Sequence, residues 1–258
     1  MLEVLRTVVR TLGELMITAG LLLLLFVAWQ LWWTDVEANR AQSAITDDLH
    51  EEWQEVPAPR EPTPEPPVPV DYGPPPEVPG PTEGEAFAIV HVPRFGAGFQ
   101  PRPVVEGTSL RLLEDGVGHY ARTALPGQVG NVALAGHRVT YGRPFHQIAE
   151  LAPGDAVVLE TADAWYTYRM RSSTIVTPDR VDVVEPVPEQ PGAEPTERLL
   201  TLTACHPMYS ARQRYVVYAV LESWQPRSAG PPASLDPPAG VAAGAPGRPT
   251  VTTAAERG

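Results

Sequence analysis

Three residues stand where short apolar runs give way to polar loops, and together they could carry acyl-transfer chemistry: Cys205, His137 and Arg214. Cys205 closes the run Leu199-Leu200-Thr201-Leu202-Thr203-Ala204 and precedes His206-Pro207, where proline ends further sheet pairing. A thiol at the mouth of a strand is placed to act as a thiolate nucleophile. The bland alternative is that a lone cysteine is a small buried hydrophobe. It is the chain's single cysteine, so neither an intramolecular disulfide nor a CxxC redox motif is available. The loop that follows it is polar and basic rather than more core.

His137 follows another apolar run, Asn131-Val132-Ala133-Leu134-Ala135, with Gly136 between them to turn the backbone and aim the imidazole off the strand end. Six histidines are present, so context must choose among them. His50 lies in the membrane-proximal segment, His91 and His119 have ordinary surroundings, and His146 sits in a helical run. His206 adjoins the cysteine, but successive strand residues point to opposite faces. Arg212 and Arg214 follow Cys205 by seven and nine residues, and Arg214 opens the last strand-like run. An arginine there favours thiolate and can hold an oxyanion on an attacked carbonyl. A solvated loop arginine describes Arg212 better.

The elements that must position these groups are short. Apolar runs occur at Ala86–Val92, Asn131–Ala135, Ala156–Glu160, Trp165–Met170, Ser173–Val176, Val181–Val184, Leu199–Ala204 and Tyr215–Leu221, several alternating and rich in Val, Ile, Thr and Tyr. Eight such strands imply a mostly β domain, a barrel or sandwich. Only Ser109–Glu114 and Pro144–Leu151 read as helical. Residues 85–224 have ordinary globular composition and enough length for a real core.

Outside that domain the composition changes. Leu15–Trp33 is uncharged and as a helix spans about 28 Å, close to a bilayer core. Arg6 and Arg10 precede it, an acidic segment follows it, and Trp29, Trp32 and Trp33 crowd its outer end. This pattern sets residues 1–14 in the cytoplasm, residues 15–33 as a single-pass anchor in the cell membrane, and the rest outside. A cleaved signal peptide is the competing reading, with Val36-Glu37-Ala38 a weak cleavage match. Residues 34–84 read as a polar and then proline-rich linker. Twelve prolines between Pro57 and Pro81 favour polyproline II and a stand-off spacer. The polar Asn39–Glu55 stretch permits a regulatory lid or none. Residues 225–258, rich in Pro, Ala and Gly, read as a disordered tail. A net charge of −12 without a basic cluster argues against nucleic acid as a partner. No lysine occurs, nor any LPxTG- or LAxTG-type pentapeptide.

Thr201-Leu202-Thr203-Ala204-Cys205, with Arg214 nine residues on and Gly136-His137 upstream, resembles the TLxTC…R signature and catalytic histidine of sortases. Ala135–Phe145 and Cys205-His206-Pro207 with Tyr209-Ser210-Ala211 look most like the class E branch. The resemblance covers roughly Ala86 to Glu222 and implies a sortase-like eight-stranded β-barrel with short helices behind the anchor. It implies Cys205 as nucleophile, His137 as general acid/base and Arg214 as stabiliser, with no metal or cofactor. It also implies LAxTG-type signals on secreted proteins as substrates, a peptidoglycan-precursor amine as acceptor, and Tyr141 as a reader of the signal's alanine. One departure is Ala204, where the family usually has threonine. Two rivals remain. An L,D-transpeptidase would need an SHGC-like context that is absent, and a non-catalytic envelope-binding β-domain would use the same anchor.

Overall fold

The computed structural model of the chain describes residues 2–54 and 71–236. Eight strands, β1 (Ala86–His91), β2 (Arg102–Glu106), β3 (Val117–His119), β4 (Gly130–Ala135), β5 (Ala156–Glu160), β6 (Ala164–Val176), β7 (Arg198–His206) and β8 (Gln213–Pro226), close into a barrel in the order β1-β2-β3-β4-β7-β8-β6-β5. The expected eight-stranded barrel is present, but it is divided differently along the chain. The runs at Trp165–Met170 and Ser173–Val176 are one strand, β6. Val181–Val184 is a 3-10 turn, while β2 and β3 lie where no strand is expected. The two expected helices shrink to the 3-10 turns Leu112–Glu114 and Ile148–Glu150.

Strand alternation decides what faces inward. Val132 and Leu134 of β4, Leu200, Leu202 and Ala204 of β7, and Val217 and Ala219 of β8 are buried in the barrel core with Phe145, Tyr166 and Tyr168. Their neighbours at odd offsets face outward. Because β4 and β7 are parallel and β7 and β8 antiparallel, β4 and β7 finish where β8 begins, at one end of the barrel. Parallel pairing cannot be closed by a hairpin. Residues 136–155 follow β4 at that end, and the crossover 177–197 leaves β6 there and runs back to the start of β7 at the other end.

The N-terminal helix α1 (Leu2–Gln54) is continuous through both the apolar stretch and the polar segment after it, about 80 Å by its rise. It is long and apolar enough to cross a membrane, and none of its most apolar window is buried in protein. From Asp35 onward it leaves the linker expected there behind and docks on the barrel. Ala38, Gln42, Thr46, Leu49 and Trp53 form one buried helical face, at spacings of three and four residues. Leu49 and Trp53 pack with Ile89 of β1. Burying a side chain such as Leu49 contributes about 2 kcal/mol. Polar contacts fix the register. Buried Arg102 donates from Nη1 to Asn39 Oδ1 and Gln42 Oε1, and His50 reaches the buried Glu160 carboxylate at 3.1 Å.

Residues 57–70 of the proline-rich stretch lie outside the described residues. From Asp71 the expected stand-off spacer is instead laid along the barrel wall. Trp224 Nε1 donates to the Gly73 carbonyl at 2.8 Å, and Val78 packs against the core. Extended proline-rich chain has free carbonyls and flat apolar rings, which suits such a surface. Likewise β8 continues to Pro226, and Leu235 packs on Ala156, Val158 and Trp165, so residues 225–236 of the expected disordered tail are structured. The remainder of that tail, 237–258, lies outside the described residues.

Candidate active site

Cys205 is the penultimate residue of β7. Ala204 before it is turned into the core, so Cys205 faces outward and is partly exposed. Arg214 is its direct cross-strand partner on β8. Partners of this kind share a face of the sheet with Cβ atoms about 5 Å apart. The Arg214 guanidinium is braced by Nη1 donating to the Ala211 and Gln213 carbonyls at 2.9 and 3.0 Å. Arg212 lies exposed in the hairpin and has no place in this ladder.

His137 reaches the same spot from β4. Ala135 pairs with Thr203, and Gly136 N–H still donates to the Thr203 carbonyl at 3.1 Å, so the register carries His137 to the level of Cys205. Adjacent strands lie about 5 Å apart. Val132 and Leu134 point inward, which sends His137 outward, onto the face that Cys205 and Arg214 occupy. Gly136 is required for a reason beyond backbone freedom: an added Cβ would lie 2.6 Å from the Phe145 ring. Phe145 N–H returns the loop by donating to the His137 carbonyl.

The His137 ring is half-buried, and its Nε2 has no hydrogen-bond partner in the protein. Burial lowers its pKa below the ordinary histidine value, while the nearby Glu114 carboxylate partly counteracts this. The Tyr141 ring lies beside it, centroids 5.1 Å apart. Glu114 raises the Tyr141 pKa, by its charge first and also by accepting the phenol's hydrogen bond. Tyr141 and Arg143 have positive φ around Gly142, whose own φ is +73°. A Cβ on Gly142 would lie 2.8 Å from Asn39 Oδ1, so α1 presses directly on this turn.

Two contributors were not foreseen from the sequence: Glu114 and Arg138. Arg138 is buried, and its Nη1 donates both to the Cys205 carbonyl at 3.2 Å and to His206 Nδ1 at 2.9 Å. Guanidinium has no acceptor, so His206 Nδ1 must carry no proton. Desolvation and the Arg138 charge both lower the His206 pKa, holding that ring neutral. His206 is therefore occupied as an acceptor, and the geometry separates it from the role open to His137. The only sequence signal for Arg138 is its place next to His137 on the opposite face. Glu114 comes from a distant turn and has none.

Ala204 bears on the one departure from the signature. A hydroxyl there would face the barrel core, so its absence leaves the outward face of Cys205 unchanged. Among the described residues no group of three or more His, Cys, Asp or Glu side chains is arranged to hold a metal ion.

The Sortase domain family matches residues 90–222, the span that contains all of β4, β7 and Arg214. The chain belongs to the sortase family. It is 38% identical to Sortase SrtE1 of Streptomyces coelicolor over 237 residues, 88% of this chain but 60% of that relative's length. With Sortase SrtE2 of the same organism it shares 35% identity over 221 residues, covering 83% of this chain and 81% of the relative. Sortase E from Streptomyces avermitilis has a similar structure, with a TM-score of 0.55 and 44% identity over 60% of this chain and 99% of that one. The barrel is thus a sortase barrel with class E relatives, and sortases are cysteine transpeptidases.

Proposed function

We propose that this sortase cleaves a C-terminal sorting signal of the LAxTG or LPxTG type between Thr and Gly and transfers the threonyl carbonyl to a cell-wall amine. One observation carries the reading: parallel β4 and β7 and antiparallel β8 bring His137, Cys205 and Arg214 to one level on one outward face. The Cys205 thiolate attacks the Thr–Gly carbonyl, and Arg214 holds the oxyanion that forms. As the C–N bond breaks, protonated His137 gives its proton to the departing glycine amine, leaving a Cys205–threonyl thioester. An incoming amine then attacks the thioester, His137 takes its proton, and the thiolate is expelled. Atoms and protons balance over the cycle.

Arg138 is a positioning residue in this scheme, because it fixes the Cys205 backbone and removes His206 from competition. Tyr141, beside His137, fits a wall of the site that reads the residue after the signal's leucine, the alanine of an LAxTG-type signal. The substrates are secreted proteins, the acceptor a peptidoglycan-precursor amine. Residues 15–33 hold the enzyme in the cell membrane, N-terminus inside and barrel outside. The test is full-length protein in nanodiscs with quenched LAxTG and LPxTG peptides. Cleavage after threonine that is lost in Cys205→Ala and His137→Ala supports the assignment, and cleavage that survives Cys205→Ala removes it.

A further inference from the structure

We propose that the catalytic end of the barrel is docked against the lipid headgroup layer, with the Met208–Tyr209 tip of the β7–β8 hairpin as its contact. This rests on the reading of residues 15–33 as a membrane span. Three observations lead to it. First, α1 is unbroken from the apolar stretch to the barrel, so the barrel's attitude is set by where the helix grips it. Second, the grip nearest the bilayer is on the loop after His137. Asp35 Oδ1 accepts from Gly142 N–H at 3.3 Å, and its Oδ2 pairs with Arg143 Nε at 3.1 Å. Asp35 lies only two residues past Trp33, a rise of about 3 Å. About two turns on, buried Gln42 donates from Nε2 to the Glu114 and Tyr141 carbonyls at 2.9 and 3.0 Å. The His137 loop is thereby held at the level where the tryptophan belt ends.

Third, the hairpin at this same end carries side chains suited to an interface. Tyr209 is 86% exposed at positive φ, Met208 is 37% exposed, and Arg212 beside them is exposed. A protruding aromatic with an adjacent arginine is costly in water and suited to the boundary between headgroups and acyl chains. At the far end of the barrel, the turn before β4 carries the exposed Val129. The consequence for function is that Cys205 opens toward lipid-linked reactants rather than away from them, which raises their effective concentration at the thiol.

Cys205 is the chain's single cysteine, so single-site labelling is direct. In a Cys205→Ala background, an environment-sensitive fluorophore is placed at Tyr209→Cys, at Arg212→Cys, or at Val129→Cys, in full-length protein reconstituted into phosphatidylcholine–phosphatidylglycerol vesicles with headgroup spin-labelled lipid. The two hairpin probes are expected to be quenched at least three-fold more strongly than the Val129 probe. Equal quenching, or stronger quenching at Val129, in protein that floats with the vesicles and resists alkaline extraction overturns this docking alone. Protein that fails to float overturns the membrane span, and the docking with it.

Discussion

At the residue scale the site depends on which groups are charged, and the environment biases that choice. His137 is driven toward neutrality by burial and pulled back by Glu114. In the proposed mechanism acylation requires its imidazolium form, so the alkaline limb of the kcat/KM profile would report the loss of that proton. Removing the Glu114 charge leaves burial unopposed and lowers the His137 pKa further. Glu114→Gln is therefore expected to shift the alkaline limb to lower pH; an unmoved limb would mean that His137 is not the group titrating there. Arg138→Gln removes the cation that repels a proton from His206, so the His206 pKa should rise toward the ordinary histidine value in an NMR titration. The cysteine, histidine and arginine are legible from sequence because each sits at a strand end with a fixed spacing. Glu114 and Arg138 are not, since their partners are brought to them only by the closed barrel.

At the scale of elements, the strands that alternate cleanly are recognisable and the others are not. β2 contains Pro103 and begins and ends on the charged residues Arg102 and Glu106, while β3 is three residues with glycine at its centre, so neither carries a strand pattern. In the opposite sense Val181-Asp182-Val183-Val184 has strand composition, but Arg180 Nε bonds Asp182 Oδ1 at 2.7 Å and the segment closes as a turn. The second half of α1 reads from sequence only as a polar, partly helical stretch, because its buried face mixes Gln42 and Thr46 with Leu49 and Trp53 and hides the helical period behind polar residues that the barrel satisfies. Gly136 tests how tightly these elements fit. Gly136→Ala drives a methyl into Phe145 and is expected to cost about 1–3 kcal/mol, read as a lower Tm, with Phe145→Leu in the same chain recovering part of the loss. If Gly136→Ala melts with the parent, the loop does not close on Phe145 as described.

At the scale of the whole molecule, the second half of α1, the barrel and the C-terminal segment converge on one buried carboxylate. Glu160 accepts from His50 of α1 and His91 of β1, and Arg227 of the C-terminal segment pairs with it at 3.2 Å while stacking over Trp53. Burial alone would raise the Glu160 pKa, but the hydrogen bonds from His91 and His50 outweigh it and the value falls below 4.5. A carboxylate with a depressed folded pKa stabilises the fold fully above its unfolded value, and that contribution is lost as pH falls through the folded value. Acidification below the ordinary carboxylate range should therefore loosen the second half of α1 first, seen as faster hydrogen exchange at residues 46–53. Glu160→Gln should abolish that pH dependence. The same docking links the candidate membrane span to the loop that carries His137, so α1 contacts the site region as well as carrying the apolar stretch.

The measurement that bears most directly on the account is mass spectrometry of the full-length enzyme after brief reaction with a LAxTG peptide and no acceptor amine. The account predicts an adduct on Cys205 of the mass of the peptide up to and including threonine, released by hydroxylamine and absent in Cys205→Ala. In His137→Ala it should form at least a hundred-fold more slowly. Turnover of the peptide with an unmodified Cys205 and undiminished rate in His137→Ala would contradict it.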